Sequence, residues 1–167
     1  LGLMILLFIL SFRSWTGTFL PLFVVGFSIL WTFGLMAWLD ISVPIIGGLI
    51  PIMLIAIANN YGIHIISHYY EFTKMDQSLS RTEILKRTMK RLGMPIFLAG
   101  ITTVISFMSL MTHELSKVRE IGLLVSFGIA VSFLLSLFLI PAILILVPRP
   151  TYLGKDNSLQ FVNKFLV

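Results

Sequence analysis

The chain has 167 residues, of which 57% are hydrophobic and only 11% charged, against roughly 25% charged in an ordinary soluble domain. Mean hydropathy is +1.01, more apolar surface than a soluble core of this size can hide, so lipid must solvate much of the chain. The net charge of +5 reads as basic loops that set orientation rather than as a nucleic-acid surface. The lack of cysteine excludes disulfides, iron–sulfur clusters and thiol chemistry.

Uncharged stretches cover residues 1–12, 15–39, 41–70, 92–112 and 121–148. A helix needs about 20 residues to cross the hydrocarbon core. The last four stretches are long enough. The first has 12 residues and is expected to be the inner part of a truncated span, the alternative being an interfacial segment. It begins inside an apolar run, without a basic n-region or an Ala-x-Ala-like cleavage site. That argues against a signal peptide and for a piece of a longer protein. The expected fold class is an all-α, polytopic transmembrane helix bundle of five spans over residues 1–148. Residues 149–167 form a cytoplasmic tail or linker, in which 161–167 reads as a second interfacial piece.

Lys and Arg counting sets the orientation. Arg13, then Lys74, Arg81, Lys86, Arg87, Lys90 and Arg91, then Arg149, Lys155 and Lys164 occupy alternate gaps. The opposite gaps hold only Lys117 and Arg119, beside Asp40, Glu114 and Glu120. The loop 71–91 and the C-terminus are therefore expected in the cytoplasm, and the turns 40–44 and 113–120 outside. Within the basic loop, Ser80 and Glu83 have capping-box spacing. Leu85, Met89 and Leu92 recur at i, i+4, i+7, with Lys86, Arg87, Lys90 and Arg91 on other faces. This predicts a short amphipathic helix over about 80–92 that lies on the inner membrane surface, its cations near anionic headgroups. Pro21, Pro44, Pro51, Pro95 and Pro141 mark helix starts or kinks, with Pro51 and Pro141 inside spans.

The third span carries the informative polar residues, Asn59-Asn60-Tyr61-Gly62-Ile63-His64 and then His68. A buried amide without partners costs about 2–7 kcal/mol. Adjacent residues on a helix project about 100° apart, so at least one Asn should face a helix interface or a polar cavity. Polar groups at membrane depth serve either function or interhelical hydrogen bonding. Asn60, His64 and His68 stack on one face at i, i+4, i+8, yet no carboxylate or thiol within the span accompanies them for a metal. The fourth span adds Gly100, Thr102, Thr103 and Ser106: small residues and hydroxyls suited to close packing, to back-bonding or to a relay. Arg119 and Glu120 open the fifth span as an expected solvated ion pair. Neither a carboxylate pair, nor a nucleophile with its base, nor a phosphate-cradling loop is present, so no enzymatic activity is expected. No cofactor, metal or nucleic-acid partner is expected either.

The order of these features resembles a known superfamily. Asn-Asn-Tyr-Gly-Ile-His-Ile-Ile-Ser-His-Tyr-Tyr-Glu (59–71) is followed by a basic helix. Then come Gly-Ile-Thr-Thr-Val-Ile-Ser-Phe-Met-Ser-Leu (100–110), Val-Arg-Glu-Ile-Gly-Leu-Leu-Val (118–125) and Ile-Pro-Ala-Ile-Leu-Ile-Leu (140–146). The pattern resembles the resistance–nodulation–division (RND) superfamily, most closely its MMPL and hydrophobe-exporter branch, over nearly the whole chain. The resemblance implies two pseudosymmetric halves of six helices, each with an extracytoplasmic domain between its first and second helices. This chain would supply helices two to six of one half, in a bacterial cytoplasmic membrane.

The resemblance also implies proton-driven export of lipids or other amphiphiles, with an Asp-Tyr pair in helix four as proton carrier. Tyr61 matches that Tyr, but Asn60 stands where the Asp would be, and an amide cannot titrate. Three consequences are open: the carboxylate lies in the other half, His64 replaces it, or this half is uncoupled. The candidate relay residues are thus Asn59, Asn60, Tyr61, His64, Thr102 and Thr103. The implied partners are membrane lipids, the other half with its extracytoplasmic domain, and further copies of the chain in a homo-oligomer. Two alternatives share the helical plan. One is a lipid-binding regulatory module similar to sterol-sensing domains. The other is a translocation accessory similar to the SecD and SecF pair.

Overall fold

A computed structural model describes residues 15–41, 45–76 and 79–146. The expected first span at 1–12, Pro44 and the tail 149–167 lie outside the described residues. Four long helices follow one another: α1 (Trp15–Trp38), α2 (Leu49–Met75), α3 (Arg81–Met108) and α4 (Ser116–Leu146). Short 3-10 turns at Ile45–Gly48 and Ser109–Thr112 precede α2 and follow α3. All four helices are long and apolar enough to cross a membrane, and no strand occurs among the described residues. The molecule is an all-α polytopic bundle.

α1 ends as the sequence demands. Asp40 adopts φ 52°, a left-handed conformation that Asp tolerates better than most residues. The Ile41 N–H donates to the Met36 carbonyl (3.1 Å) and the Asp40 N–H to the Ala37 carbonyl (3.3 Å). This is a Schellman closure, which satisfies two orphan carbonyls at the helix end.

Three expectations about element boundaries need correction. α2 begins at Leu49 and runs on to Met75, not from 41 to 70. Its 27 residues make a rod of about 40 Å, longer than the roughly 30 Å hydrocarbon core. Glu71 and Lys74 therefore continue the helix beyond the apolar stretch. Pro51 falls in its first turn, where a missing N–H leaves nothing unsatisfied. Secondly, the basic segment is no separate helix lying flat on the surface. It is the first part of α3, which runs unbroken through Pro95. Ile84, Leu85 and Thr88 are buried, and Leu79, Met89 and Leu92 pack on the same core. The apolar stripe thus grips the bundle rather than the lipid. The Ser80 cap forms as expected, with the Ser80 N–H donating to Glu83 Oε2 (3.0 Å) and the Glu83 N–H to Ser80 Oγ (3.3 Å). Thirdly, α4 starts at Ser116, and Glu120 pairs with Lys117 at 2.8 Å, one turn away, rather than with Arg119. Neighbours in sequence diverge on a helix, whereas i and i+3 meet.

α4 packs against all three other helices, and α1 and α3 share no substantial contact. Lipid tails give apolar helices no hydrophobic reason to associate, so close packing and hydrogen bonds must hold them. Glycines supply the closeness. A Cβ at Gly128 would sit 2.6 Å from Thr32 Oγ1 and 2.7 Å from a Leu54 methyl. One at Gly62 would sit 2.9 Å from Ile140 and 3.2 Å from Pro21, and one at Gly100 would enter the Phe133 ring. Hydroxyls supply the bonds. Ser28 Oγ donates to the Gly128 carbonyl (2.8 Å), Thr32 Oγ1 to the Ser28 carbonyl (2.7 Å) and Ser132 Oγ to the Ala58 carbonyl (3.4 Å). The pairings Leu54–Gly128, Ala58–Ser132 and Gly62–Ile140 advance together, so α2 and α4 run parallel.

Candidate functional site

On α2, Ile57, Asn60, Tyr61 and His64 recur at i, i+3, i+4, i+7 and so share one face. The facing wall on α3 is Leu92, Pro95, Ile96, Ala99 and Thr103. Between them lies an open groove of about 460 Å³. Pro95, Ala99 and Thr103 contribute short side chains to the α3 wall.

Tyr61 forms the inner wall. It is only 6% exposed, and its ring meets Phe133 of α4 edge-on at 6.0 Å between centroids. Phe133 is held in turn by Phe97 at 5.9 Å and by the space Gly100 leaves open. Asn60 and His64 are exposed along the groove. His64 is the groove's one imidazole, able to donate or accept a hydrogen bond. Thr103 donates to the Ala99 carbonyl at 2.7 Å, so its hydroxyl oxygen faces outward only as an acceptor.

The expected site residues therefore divide. Asn60, Tyr61, His64 and Thr103 come together in the groove. Asn59 turns into the bundle and is 4% exposed, beside Ala58, whose carbonyl accepts from Ser132. Thr102 points away, and its hydroxyl is spent on the Leu98 and Ala99 carbonyls of its own helix (2.9 and 3.0 Å). Ser106 likewise donates to the Thr102 carbonyl. His68, one turn beyond His64, leaves the groove and sits 2.7 Å from Glu71. Among the described residues no three His, Cys, Asp or Glu side chains are grouped to hold a metal.

Phe133 and the buried hydroxyls Ser28, Thr32, Ser132 and Ser136 lie outside the expected site residues. A signal existed for the latter. Ser28 and Thr32, and again Ser132 and Ser136, stand at i, i+4 inside apolar runs, the spacing of a polar strip on one helix face. Nothing in the sequence marked Phe133 apart from the other phenylalanines.

Four helices long and apolar enough to cross a membrane, with a partly polar groove between two of them, define an integral membrane protein. Residues 1–159 match the profile of the MMPL family, and the chain belongs to that family. It is 26% identical over 149 residues to a Methanocaldococcus jannaschii protein named as a membrane protein, covering 89% of this chain and 38% of that one. It is 21% identical over 165 residues to the transport protein MmpL8 of Mycobacterium bovis, covering 94% of this chain and 15% of that protein. It is 22% identical over 107 residues to the sulfolipid-1 exporter MmpL8 of Mycobacterium tuberculosis, covering 64% of this chain and 10% of that one. The chain thus spans well under half the length of each.

Proposed function

We propose that this chain is part of one transmembrane half of an RND-type exporter that moves lipids or other amphiphiles out of the cytoplasmic membrane, driven by the proton-motive force in the full protein. The carrying observation is the convergence of His64 with Asn60, Tyr61 and Thr103 in one groove. A neutral imidazole is tolerable there. An added proton would place a charge beside Ile57, Leu92, Pro95, Ile96 and Ala99, a setting that favours water entry or a shift of the helices. Proton arrival thereby becomes a force on the α2–α3 spacing. The Asn60 amide cannot take the proton, but it can hydrogen-bond either state of the ring. In this reading the α2–α3 connection lies inside, which the Lys/Arg asymmetry supports, and the second half completes the site.

The test uses the full-length protein in proteoliposomes with a labelled lipid substrate. His64→Phe should abolish gradient-dependent export at near-normal abundance. Wild-type export by that variant would remove His64 as the titrating group. Export unaffected by collapsing the gradient would remove proton coupling altogether.

A second reading has one observation in its favour: Asn60 replaces a titratable residue in a groove that is mostly apolar. A lipid-binding regulatory module needs no proton carrier. Lipid that co-purifies in the groove, together with no transport in vesicles, would support it.

A further inference from the structure

The outward face of α3 changes character within one turn. Lys86, Arg87, Lys90 and Arg91 are all exposed and follow one another at i, i+1, i+4, i+5. The same face then continues as Met94 (63% exposed), Phe97 (42%) and Leu98 (51%). None of the four cations makes an ion pair among the described residues. The nearest carboxylate on their helix, Glu83, is engaged by the Ser80 cap at 3.0 and 2.9 Å. Arg91 is steadied, its guanidinium 5.8 Å from the Phe72 ring centroid of α2. The opposite face, with Ile84, Leu85 and Thr88, is fixed in the core, so the strip cannot rotate away.

We infer that this strip is a binding site for an anionic phospholipid of the cytoplasmic leaflet, its phosphate among Lys86, Arg87, Lys90 and Arg91 and an acyl chain along Met94, Phe97 and Leu98. Two independent features select this occupant. Four exposed cations without an ion pair among the described residues call for negative charge. The apolar continuation directly beyond them calls for a chain attached to that charge, which a free anion or an acidic protein segment lacks. The site stands apart from the groove, on the outer side of α3. It rests on the proposed orientation only for the choice of leaflet.

The experiment is native mass spectrometry of the full-length protein, purified in neutral detergent and offered phosphatidylglycerol or phosphatidylcholine of identical acyl chains. Each basic residue near an anionic surface contributes about fivefold. Wild type should retain phosphatidylglycerol at least about tenfold better, and Lys86→Gln/Arg87→Gln/Lys90→Gln/Arg91→Gln should lose the preference. Lys86→Arg/Lys90→Arg should keep it. A photo-crosslinking side chain at Leu98 should capture phosphatidylglycerol over phosphatidylcholine. This arm decides the matter alone should the quadruple variant misfold. Equal retention of the two lipids, an unchanged quadruple variant, or displacement by inorganic phosphate as effective as by lipid would overturn the assignment.

Discussion

α2 presents two faces of opposite construction. Toward α1 and α4 it is closed: Leu54, Ala58, Asn59 and Gly62 are all buried, and the Ser132 hydroxyl of α4 reaches its backbone at Ala58. Toward α3 it is open, with Asn60 and His64 beside a groove of about 460 Å³. The two asparagines belong to these different worlds although they are adjacent, because one residue is a 100° turn. Polar residues at membrane depth thus do two jobs on a single helix. On the closed face they fasten helices that have no hydrophobic drive to associate. On the open face Asn60 and His64 keep their hydrogen-bonding groups along the groove.

The largest effect separating the faces should come from adding volume. Gly128→Val places methyl groups where a single Cβ is already 2.6 Å from Thr32 Oγ1, and overpacking of this kind costs about 3 kcal/mol. Ala99→Val adds two methyl groups on the groove wall, where there is room, and should stay within about 0.5 kcal/mol. Thermal unfolding in detergent would compare them. Equal losses would mean that the groove is closed in the working protein. A smaller contrast is expected from the amides. Asn59→Ala should cost about 1 kcal/mol, in the range of intramembrane hydrogen bonds, while Asn60→Ala should leave stability within about 0.5 kcal/mol and change export instead. The reverse order would place the functional amide on the closed face.

Much of this architecture is legible in the amino-acid sequence. Runs of uncharged residues locate four helices because a bilayer tolerates little else. The third span's polar cluster points at the groove because buried amides are costly. What is not legible depends on neighbours. The divergence of Asn59 and Asn60 follows from helical geometry, but which of them faces α3 is decided by how α2 is rotated, and the close contacts at Gly62 and Gly128 set that rotation. The same limit explains the error over residues 80–92. An apolar stripe opposite a cationic face fits a helix lying on lipid as well as one held to a protein core. Only the burial of Ile84 and Thr88 distinguishes the two.

The start of α3 offers the smallest and most local test, because it lies on neither face of α2. Glu83 is held below its ordinary carboxylate value of 4.5 by the Ser80 N–H first and the Ser80 hydroxyl next, with Arg87 and Lys86 adding. A lowered folded value means that the cap's contribution is fully present above the ordinary value and is lost as pH falls through the folded one. Ser80→Ala removes the hydroxyl but keeps the N–H, and should cost about 0.5 kcal/mol at neutral pH. The gap between wild type and variant should narrow as the solution is acidified below the ordinary value, and Glu83→Gln should abolish that pH dependence. If α3 were instead anchored wholly by Ile84, Leu85 and Thr88, both substitutions would leave the unfolding curve unchanged at every pH, and the cap would mark the helix start without stabilising it.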